Sequence, residues 1–387
     1  MKTTETLLIL SLLTVFYTYL GYGMIAFLLV KLKQFFKPKR TFDSHYEPSV
    51  TFFVAAYNEE NYIVEKAINS LSLDYPKEKI QYLFVTDGST DRTPEILRKY
   101  DQFEVLHENK RGGKIGALNR GMKHAKNEIV IFSDANALLN KESIREIVKH
   151  YQYADVGCVA GEKRVTTKSL NNAAGAGEGI YWKYESFLKN LDYQLSTAVG
   201  AAGELFSIRK ELYEKVEADT ILDDFMISMR IAGKGLKIAY EPNAYASEDP
   251  STSIENEAKR KVRISAGGIQ STFRLIPLLN PFKHGWLSFQ LISHRILRWT
   301  LAPLALLMLF GANLYLWMVE GAFGALLGAQ TAFYLSALLG AYFESRKIKV
   351  KMLFVPFYFA FMNFNMFRGM IRFLKNEQSV LWEKARA

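Results

Sequence analysis

The chain has 387 residues, 49% of them apolar and 14% aromatic, and its 49 Lys and Arg against 39 Asp and Glu give a formal net charge of +10. That composition excludes a disordered segment and leaves room for one large domain plus membrane segments, or for two domains. The single cysteine, Cys158, excludes an internal disulfide framework and reads as core packing inside a domain held in a reducing compartment. The positive charge gathers beside apolar stretches, so anionic lipid is a simpler partner than nucleic acid.

From Thr6 to Val30 no charged residue occurs, a run long enough to span a bilayer. Lys31, Lys33, Lys37, Lys39 and Arg40 follow it and only Lys2 precedes it, which places the next segment in the cytoplasm of a bacterial-type inner membrane. Residues 1–31 are therefore expected to be a transmembrane helix.

Between Ser49 and Glu248 short β-branched or aromatic runs alternate with helical periods. Val-Thr-Phe-Phe-Val-Ala-Ala from Val50, Ile-Gln-Tyr-Leu-Phe-Val-Thr from Ile80, the run from Phe103, the run from Glu128 and the run from Val156 read as strands. Alternation of this kind predicts a doubly wound, mostly parallel α/β sheet. Thr93 before Pro94 reads as an N-cap, and so does Asn140 ahead of Ile144 and Ile147. An open sheet of this type binds its ligand beyond the strands' carboxyl ends.

Four of those ends carry chemistry. After the first strand, Ala55 and Ala56 are small enough for a backbone to approach a ring, and Tyr57, Asn58, Glu59 and Glu60 open a helix. After the second, Asp87-Gly88-Ser89-Thr90-Asp91 offers a carboxylate to a uracil imide or a ribose hydroxyl. An N-cap at Asn58 and a plain Asx-turn at Asp87 explain the same letters more simply. Arg111-Gly112-Gly113-Lys114 combines free N–H groups with a cation, as a phosphate site requires, without fitting the Walker pattern. Asp134 and Asn136, after the apolar run Ile129 to Phe132, form an acid–amide pair able to hold a divalent ion that neutralises a diphosphate. Each turn alone is common, and their convergence on one sheet edge outlines a nucleotide-sugar site.

Further along, Asp223 and Asp224 precede a helical stretch. One acid would suffice for the helix dipole, and the second, its proton affinity raised by its neighbour, suits a general base. Lys259 to Arg263 form a cationic cluster able to face a membrane or to clamp a pyrophosphate. Trp286, Phe289, Ile292 and Ile296 share a helical face that suits the headgroup region or a buried packing helix, giving interface helices over 275–298. Residues 299–343 form a transmembrane hairpin of two uncharged runs. The run Met352 to Phe367, flanked by basic residues on both sides, makes 344–387 a re-entrant or membrane helix with a tail containing Trp382.

These motifs together resemble the membrane-embedded family 2 glycosyltransferases of GT-A fold, related to cellulose, hyaluronan and poly-N-acetylglucosamine synthases. The resemblance covers 48–274 well and implies a cytoplasmic glycosyltransferase domain over 32–274. It implies donor binding by Ala55, Tyr57, Glu59, Asp87, Lys114, Asp134 and Arg263, with Mg2+ or Mn2+ on Asp134 and on Asn136, where the family usually has a second Asp. Asp224 in Leu-Asp-Asp becomes the base with Asp223 beside it, and Glu204 and Arg260 fall on the acceptor side. Where processive members carry Gln-x-x-Arg-Trp, this sequence has Arg260-Lys261-Val262-Arg263-Ile264, without the glutamine and the tryptophan, which speaks against processive polymerisation.

The function implied is inverting transfer of a sugar from a nucleotide-sugar, UDP-linked by expectation, to a glycan or lipid-linked acceptor at the cytoplasmic membrane face, for cell-surface or extracellular polysaccharide. Membrane lipids and proteins of a polysaccharide assembly system are the implied partners, and nucleic acid is not one. Two alternatives stay open: transfer of one sugar to polyprenyl phosphate or another lipid, and a non-catalytic, membrane-tethered nucleotide-binding assembly protein.

Overall fold

The computed structural model describes residues 2–36, 40–43, 45–165, 173–249, 253–346, 348 and 350–377. Two helices, α1 (Lys2–Phe16) and α2 (Tyr22–Phe36), run continuously through a π-helical turn at Tyr17–Gly21. The central domain follows as β1 (Val50–Ala56), α3 (Ile63–Leu71), β2 (Ile80–Asp87), α4 (Thr93–Leu97), β3 (Phe103–Glu108), α5 (Gly113–Gly121), β4 (Ile129–Asp134), β5 (Leu138–Leu139) and α6 (Ser143–Val148). It continues through β6 (Val156–Val165), α7 (Ala173–Leu195), β7 (Leu205–Arg209), α8 (Asp223–Gly233), β8 (Lys237–Glu248) and α9 (Ile254–Arg274).

The strands form one sheet in the order β3-β2-β1-β4-β7-β6-β8-β5. β3, β2, β1 and β4 are parallel, β7 runs against both β4 and β6, β6 and β8 are parallel, and β5 closes the edge antiparallel to β8. Alternate residues of β1 enter opposite layers, as the two-residue strand period demands. Phe53 joins Leu83, Val130, Phe132 and Ile208 under α5 and α8, while Phe52 and Val54 join Phe84, Ile131 and Val159 under α3 and α6. Cys158 is fully buried in the first of these layers, as expected.

Register sets the site. Ala55 pairs with Val85 on one side and with Asp134 on the other, so Asp87 and Asp134 flank the end of β1. The parallel half matches the sequence expectation, whereas β7 and the long β8 had no counterpart in it.

Both expected caps are corrected. Thr93 lies inside the first turn of α4, and its hydroxyl accepts from the Glu59 N–H at 2.8 Å. Asn140 caps nothing with its side chain: it donates to Asn243 O at 2.9 Å and accepts from Tyr245 N at 2.8 Å, holding β8 in place.

Beyond α9 come α10 (Pro281–His284), α11 (Trp286–Gln290), a π-helical stretch Leu291–Ile296 and α12 (Leu297–Trp299), then α13 (Leu301–Glu320), α14 (Gly324–Ser345) and α15 (Lys351–Leu374). Among the described residues three helices are long and apolar enough to cross a membrane: Lys2–Phe36, α13 and α14. Leu8 of α1 packs on Leu309, Ala312 and Leu316 of α13. α2 lays Tyr22, Ala26 and Val30 on Leu188, Leu191 and Leu195 of α7. The Lys33 ammonium then donates to Gln194 O at 2.8 Å and Leu195 O at 2.7 Å, satisfying the carboxyl end of α7.

α15 lies along α9, where Ser265 Oγ donates to Met366 O at 2.9 Å and Gly369 faces Ser265 so closely that a Cβ there would sit 2.4 Å from it. The helix from Trp286 to Trp299 turns its polar side inward: Gln290, His294 and Arg298 are buried while Trp286 is exposed. Trp382 lies outside the described residues.

Candidate active site

The first two turns are stitched to each other. Asn58 takes a left-handed backbone conformation, φ 52°, its N–H donates to Ser89 Oγ at 3.1 Å, and its Oδ1 accepts from Thr90 N at 2.7 Å. Glu60 N donates to Asp91 Oδ2 at 3.1 Å, and the Glu60 carboxylate accepts from Arg92 N at 3.0 Å. Asn58 is thus neither the helix cap nor a ligand-facing group; it fixes the rim on which Tyr57 stands. The Arg111 guanidinium lies 3.9 Å from the centre of the Tyr57 ring. Glu59 is buried behind that rim.

Asp87 is buried, accepts from Gly112 N at 2.9 Å through Oδ2, and faces Arg120 at 3.3 Å through Oδ1. Gly88 follows with φ 68°, where a Cβ would meet that of Arg111 at 2.7 Å, so glycine is required by both conformation and space. Ala55, Ala56, Tyr57, Asp87, Arg111, Gly113, Lys114 and Ala117 line a cleft that opens to solvent and encloses, with that open space, about 280 Å³. An adjoining one of about 210 Å³ shares Ala55 and Lys114 with it and reaches Asp134, Gly203 and Asp223.

Lys114, Asp134 and the two acids of α8 meet there. Lys114 Nζ is 2.9 Å from Asp134 Oδ1 and 3.6 Å from Asp223 Oδ2. A Cβ on Gly203 would stand 3.1 Å from Lys114 Nζ, 3.5 Å from Asp224 Oδ2 and 3.6 Å from Asp134 Oδ2, so the absence of a side chain leaves these groups facing one space. Asp224 Oδ1 accepts from Phe225 N at 2.8 Å, which leaves Oδ2 turned toward that space.

Burial, then the neighbouring Asp223, push the Asp224 carboxyl up to about 7 against the pull of Lys114. Burial also raises Asp134, opposed by Lys114. For Lys114 burial acts downward, but Asp134, Asp223 and Asp224 outweigh it and hold the ammonium well above its ordinary value. Arg263 of α9 is lowered by burial and by Arg260 while Asp223, Asp224 and Asp134 draw it upward, so it stands in the field of all three acids.

The donor set fits a divalent cation that takes most of its ligands from phosphate and water. Asp223 Oδ2 is buried with no hydrogen-bond partner among the described residues, Asp134 stands with it around Lys114 Nζ, and Asn136, two residues beyond Asp134, is half-buried. No group of three or more His, Cys, Asp or Glu forms a ready-made cage among the described residues.

Glu204, next along the chain from Gly203, lies 3.4 Å from Arg260 of α9. Glu204 is also the partner of the buried Lys163, whose ammonium stands 2.6 Å from Glu248, and these cations hold the Glu204 carboxyl below its usual range despite burial. Sequence reasoning missed Lys163, Glu248 and Lys66. The last is fully buried, donates to Ser133 Oγ at 2.7 Å and Ala137 O at 2.6 Å, and so pins the turn bearing Asp134 and Asn136. Burial pulls its ammonium down to about 7, against Asp134 and Glu248. The available signal was its place on the face shared by Ile63, Ala67 and Ser70.

Residues 51–217 match the family model described as Glycosyl transferase family 2. The chain carries a family 2 glycosyltransferase domain. A beta-monoglucosyldiacylglycerol synthase of Nostoc sp. is 32% identical over 200 residues, covering 48% of this chain and 41% of that protein. Poly-beta-1,6-N-acetyl-D-glucosamine synthases of Staphylococcus aureus are 28% identical over 237 residues, covering 58% of this chain and 56% of theirs. The chain thus spans about half the length of the curated relatives it matches. A solved mannosyltransferase from Pyrobaculum calidifontis, in complex with GDP-Man and Mn2+, superposes with a TM-score of 0.76 at 23% identity over 97% of this chain and 100% of that one. The fold is GT-A, with helical candidate spans near both ends. The family match stops short of Asp223, Asp224 and α9, which complete the site in space.

Proposed function

We propose that the chain is an inverting glycosyltransferase that moves a sugar from a nucleotide donor, UDP-linked by preference, to a glycan or lipid-linked acceptor at the cytoplasmic membrane face, for surface or extracellular polysaccharide. The observation that carries this reading is the convergence of Lys114, Asp134 and Asp224 on the space in front of Gly203, beside the cavity floored by Asp87.

In this reading the base and ribose occupy the larger cavity, where Tyr57 and Arg111 offer a stacked platform and Asp87 accepts from the base or ribose. The diphosphate lies toward Lys114, with Arg263 adding positive charge. Asp224 Oδ2 takes the proton of the acceptor, whose oxygen attacks the anomeric carbon as the nucleoside diphosphate leaves on the opposite side. Asp134 and Asn136 are the residues that would hold a Mg2+ or Mn2+, which would supply Lewis-acid neutralisation of the diphosphate. Glu204 and Arg260 border the acceptor side. The mannosyltransferase relative was solved with a nucleotide sugar and Mn2+, which supports a divalent ion of this kind.

Transfer of a single sugar to polyprenyl phosphate or another lipid is the second reading, favoured by Ile264 in place of tryptophan after Arg263 and by α15 packed along α9, which we assign as an interface helix.

The test is a screen of the full chain in detergent against several nucleotide sugars, reading free nucleoside diphosphate with Mg2+, Mn2+ or a chelator, with and without membrane lipid extract. Metal-dependent release from one donor is expected, and Asp134→Ala is expected to lose the metal-dependent part of donor binding. Absence of release from every donor refutes the reading.

A further inference from the structure

Helix α5 carries Lys114 in its first turn and Arg120 in its last. Lys114 lines the cleft; Arg120 does not, and its guanidinium meets Asp87 instead. Both terminal nitrogens stand 3.3 Å from Asp87 Oδ1, and Nη2 also donates to Thr86 O at 3.1 Å, so one group holds the backbone and the side chain of consecutive residues. The other carboxylate oxygen accepts from Gly112 N at 2.9 Å, between Arg111 and Gly113 of the cleft wall. Asp87 is only 3% exposed, so little water competes for its oxygens. Its orientation is fixed from two sides.

That orientation has a chemical meaning. An ion-paired carboxylate accepts at both oxygens and donates at neither, with about four lone-pair sites in all, so Arg120 and Gly112 leave acceptor capacity for the cleft that Asp87 lines. Beside it, the Tyr57 ring under the Arg111 guanidinium and the small side chains of Ala55, Ala56 and Ala117 suit a flat ring. A base lying there meets a buried group that can only accept. Uracil and guanine present a ring N–H at their pairing edge, whereas cytosine and adenine present a bare ring nitrogen, and a site built to bind an N–H rejects the analogue that lacks it.

We propose that Arg120 is a positioning residue that holds Asp87 toward the base and thereby restricts the donor to nucleotides whose base carries a ring N–H, uracil or guanine. This rests on the glycosyltransferase reading above and deepens it to the class of base. Arg120 acts through Asp87 and touches no reacting atom. Without it only the Gly112 N–H, at the loop end of α5, would hold the carboxylate, and a carboxylate free to turn neither attracts an N–H nor repels a bare nitrogen.

The experiment measures, by calorimetry with Mn2+, the binding of UDP, GDP, CDP and ADP to the full chain in detergent. In the wild type the better of UDP and GDP is expected to exceed the better of CDP and ADP by about 10-fold or more, the scale of a hydrogen bond to a charged group. Arg120→Gln is expected to bring that ratio toward parity and Arg120→Lys to recover most of it. The nucleotides are compared on one sample, so the ratio does not depend on how much of a variant is folded. Arg120→Gln is also expected to raise the donor KM with kcat at saturating donor near the wild-type value, as loss of uniform binding does. In an Asp87→Asn background, Arg120→Gln is expected to change the ratio no further. A wild type blind to the base, as it would be if Asp87 met only ribose hydroxyls, overturns the proposal and leaves the glycosyltransferase reading standing. A ratio unmoved in Arg120→Gln overturns it too, making Arg120 a plain tie between α5 and β2. No nucleoside diphosphate bound at all removes both.

Discussion

At the residue scale, Asp224 is the group whose environment is most clearly shaped for a task. Its Oδ2 faces the space shared with Lys114 and Asp134, and burial together with Asp223 brings its carboxyl to about 7, near the working pH of a general base. Asp224→Asn is expected to lose about 100-fold or more in turnover, the scale general-base catalysis supplies, with nucleotide affinity retained. Turnover near the wild-type level would remove Asp224 from the chemistry. In the wild type the rate should rise with pH and level off above about 7. Stability runs the other way. A carboxyl whose folded pKa is raised favours the fold fully below its unfolded value, and that contribution is lost as pH rises through about 7. Asp224→Asn is therefore expected to melt above the wild type at pH 8, by a margin that closes toward pH 4. The adjacent pair was legible in the sequence, because two acids exceed what a helix start requires. Lys66 was not, because only the packing of α3 reveals that a lysine on its apolar face reaches beneath the Asp134 turn.

At the scale of elements, the first four strands and β6 were legible because each is a short apolar run bounded by turn residues. β8 was not: Pro242 and the exposed Asn243 interrupt it, and its pairing with β6 resumes only after a register shift at Gly161/Glu162. β7 is five residues long and is a strand because it fills the gap between β4 and β6, a tertiary fact no local pattern carries.

The segment from Lys259 to Gly268 read as a basic cluster followed by small residues, and α9 gives both parts a reason. Its glycines let it pass between the loop before Asp223 and α12. A Cβ on Gly267 would meet Ile221 at 2.7 Å, and one on Gly268 would meet the Trp299 indole at 2.5 Å. Gly268→Ala must therefore displace α9 or the indole, and is expected to cost about 1–3 kcal/mol in detergent-solubilised stability, as overpacking does. Because Arg263 rides on the same helix, turnover should fall with it. Gly311→Ala, whose added Cβ would meet nothing within 4 Å, is the control and should leave the melting temperature unchanged or slightly raised. Equal melting of both variants would show that α9 is not tightly wedged.

At the scale of the whole molecule, the question is what couples the apolar helices to the catalytic sheet. A large share of that coupling runs through a buried ionic cluster on α7. Glu185 stands 2.6 Å from Arg295, 3.0 Å from Arg298 and 3.4 Å from His294, and His294 in turn meets Asp192 at 2.5 Å. Tyr22 of α2 also donates to Asp192, and Gln290 donates to its backbone carbonyl at 2.8 Å. One helix of the catalytic domain thereby grips both the N-terminal apolar helix and the helix leading into α13.

Such a cluster contributes little net stability when complete, since desolvation offsets attraction, but removing one member strands the others. Glu185→Gln keeps the shape and removes the charge that faces the buried Arg298 and the half-buried Arg295, so it is expected to destabilise the detergent-solubilised chain by about 3–5 kcal/mol. Despite burial, Arg295, His294 and Arg298 hold the Glu185 carboxyl well below its usual range. Its contribution is therefore present above the unfolded carboxylate pKa and fades only as pH falls below it, so the gap between wild type and Glu185→Gln should be full at pH 7 and shrink in acid. A melting temperature at pH 7 equal to that of the wild type would mean that the apolar contacts of Leu188, Leu191 and Leu195 join α2 to α7 without help from the charges.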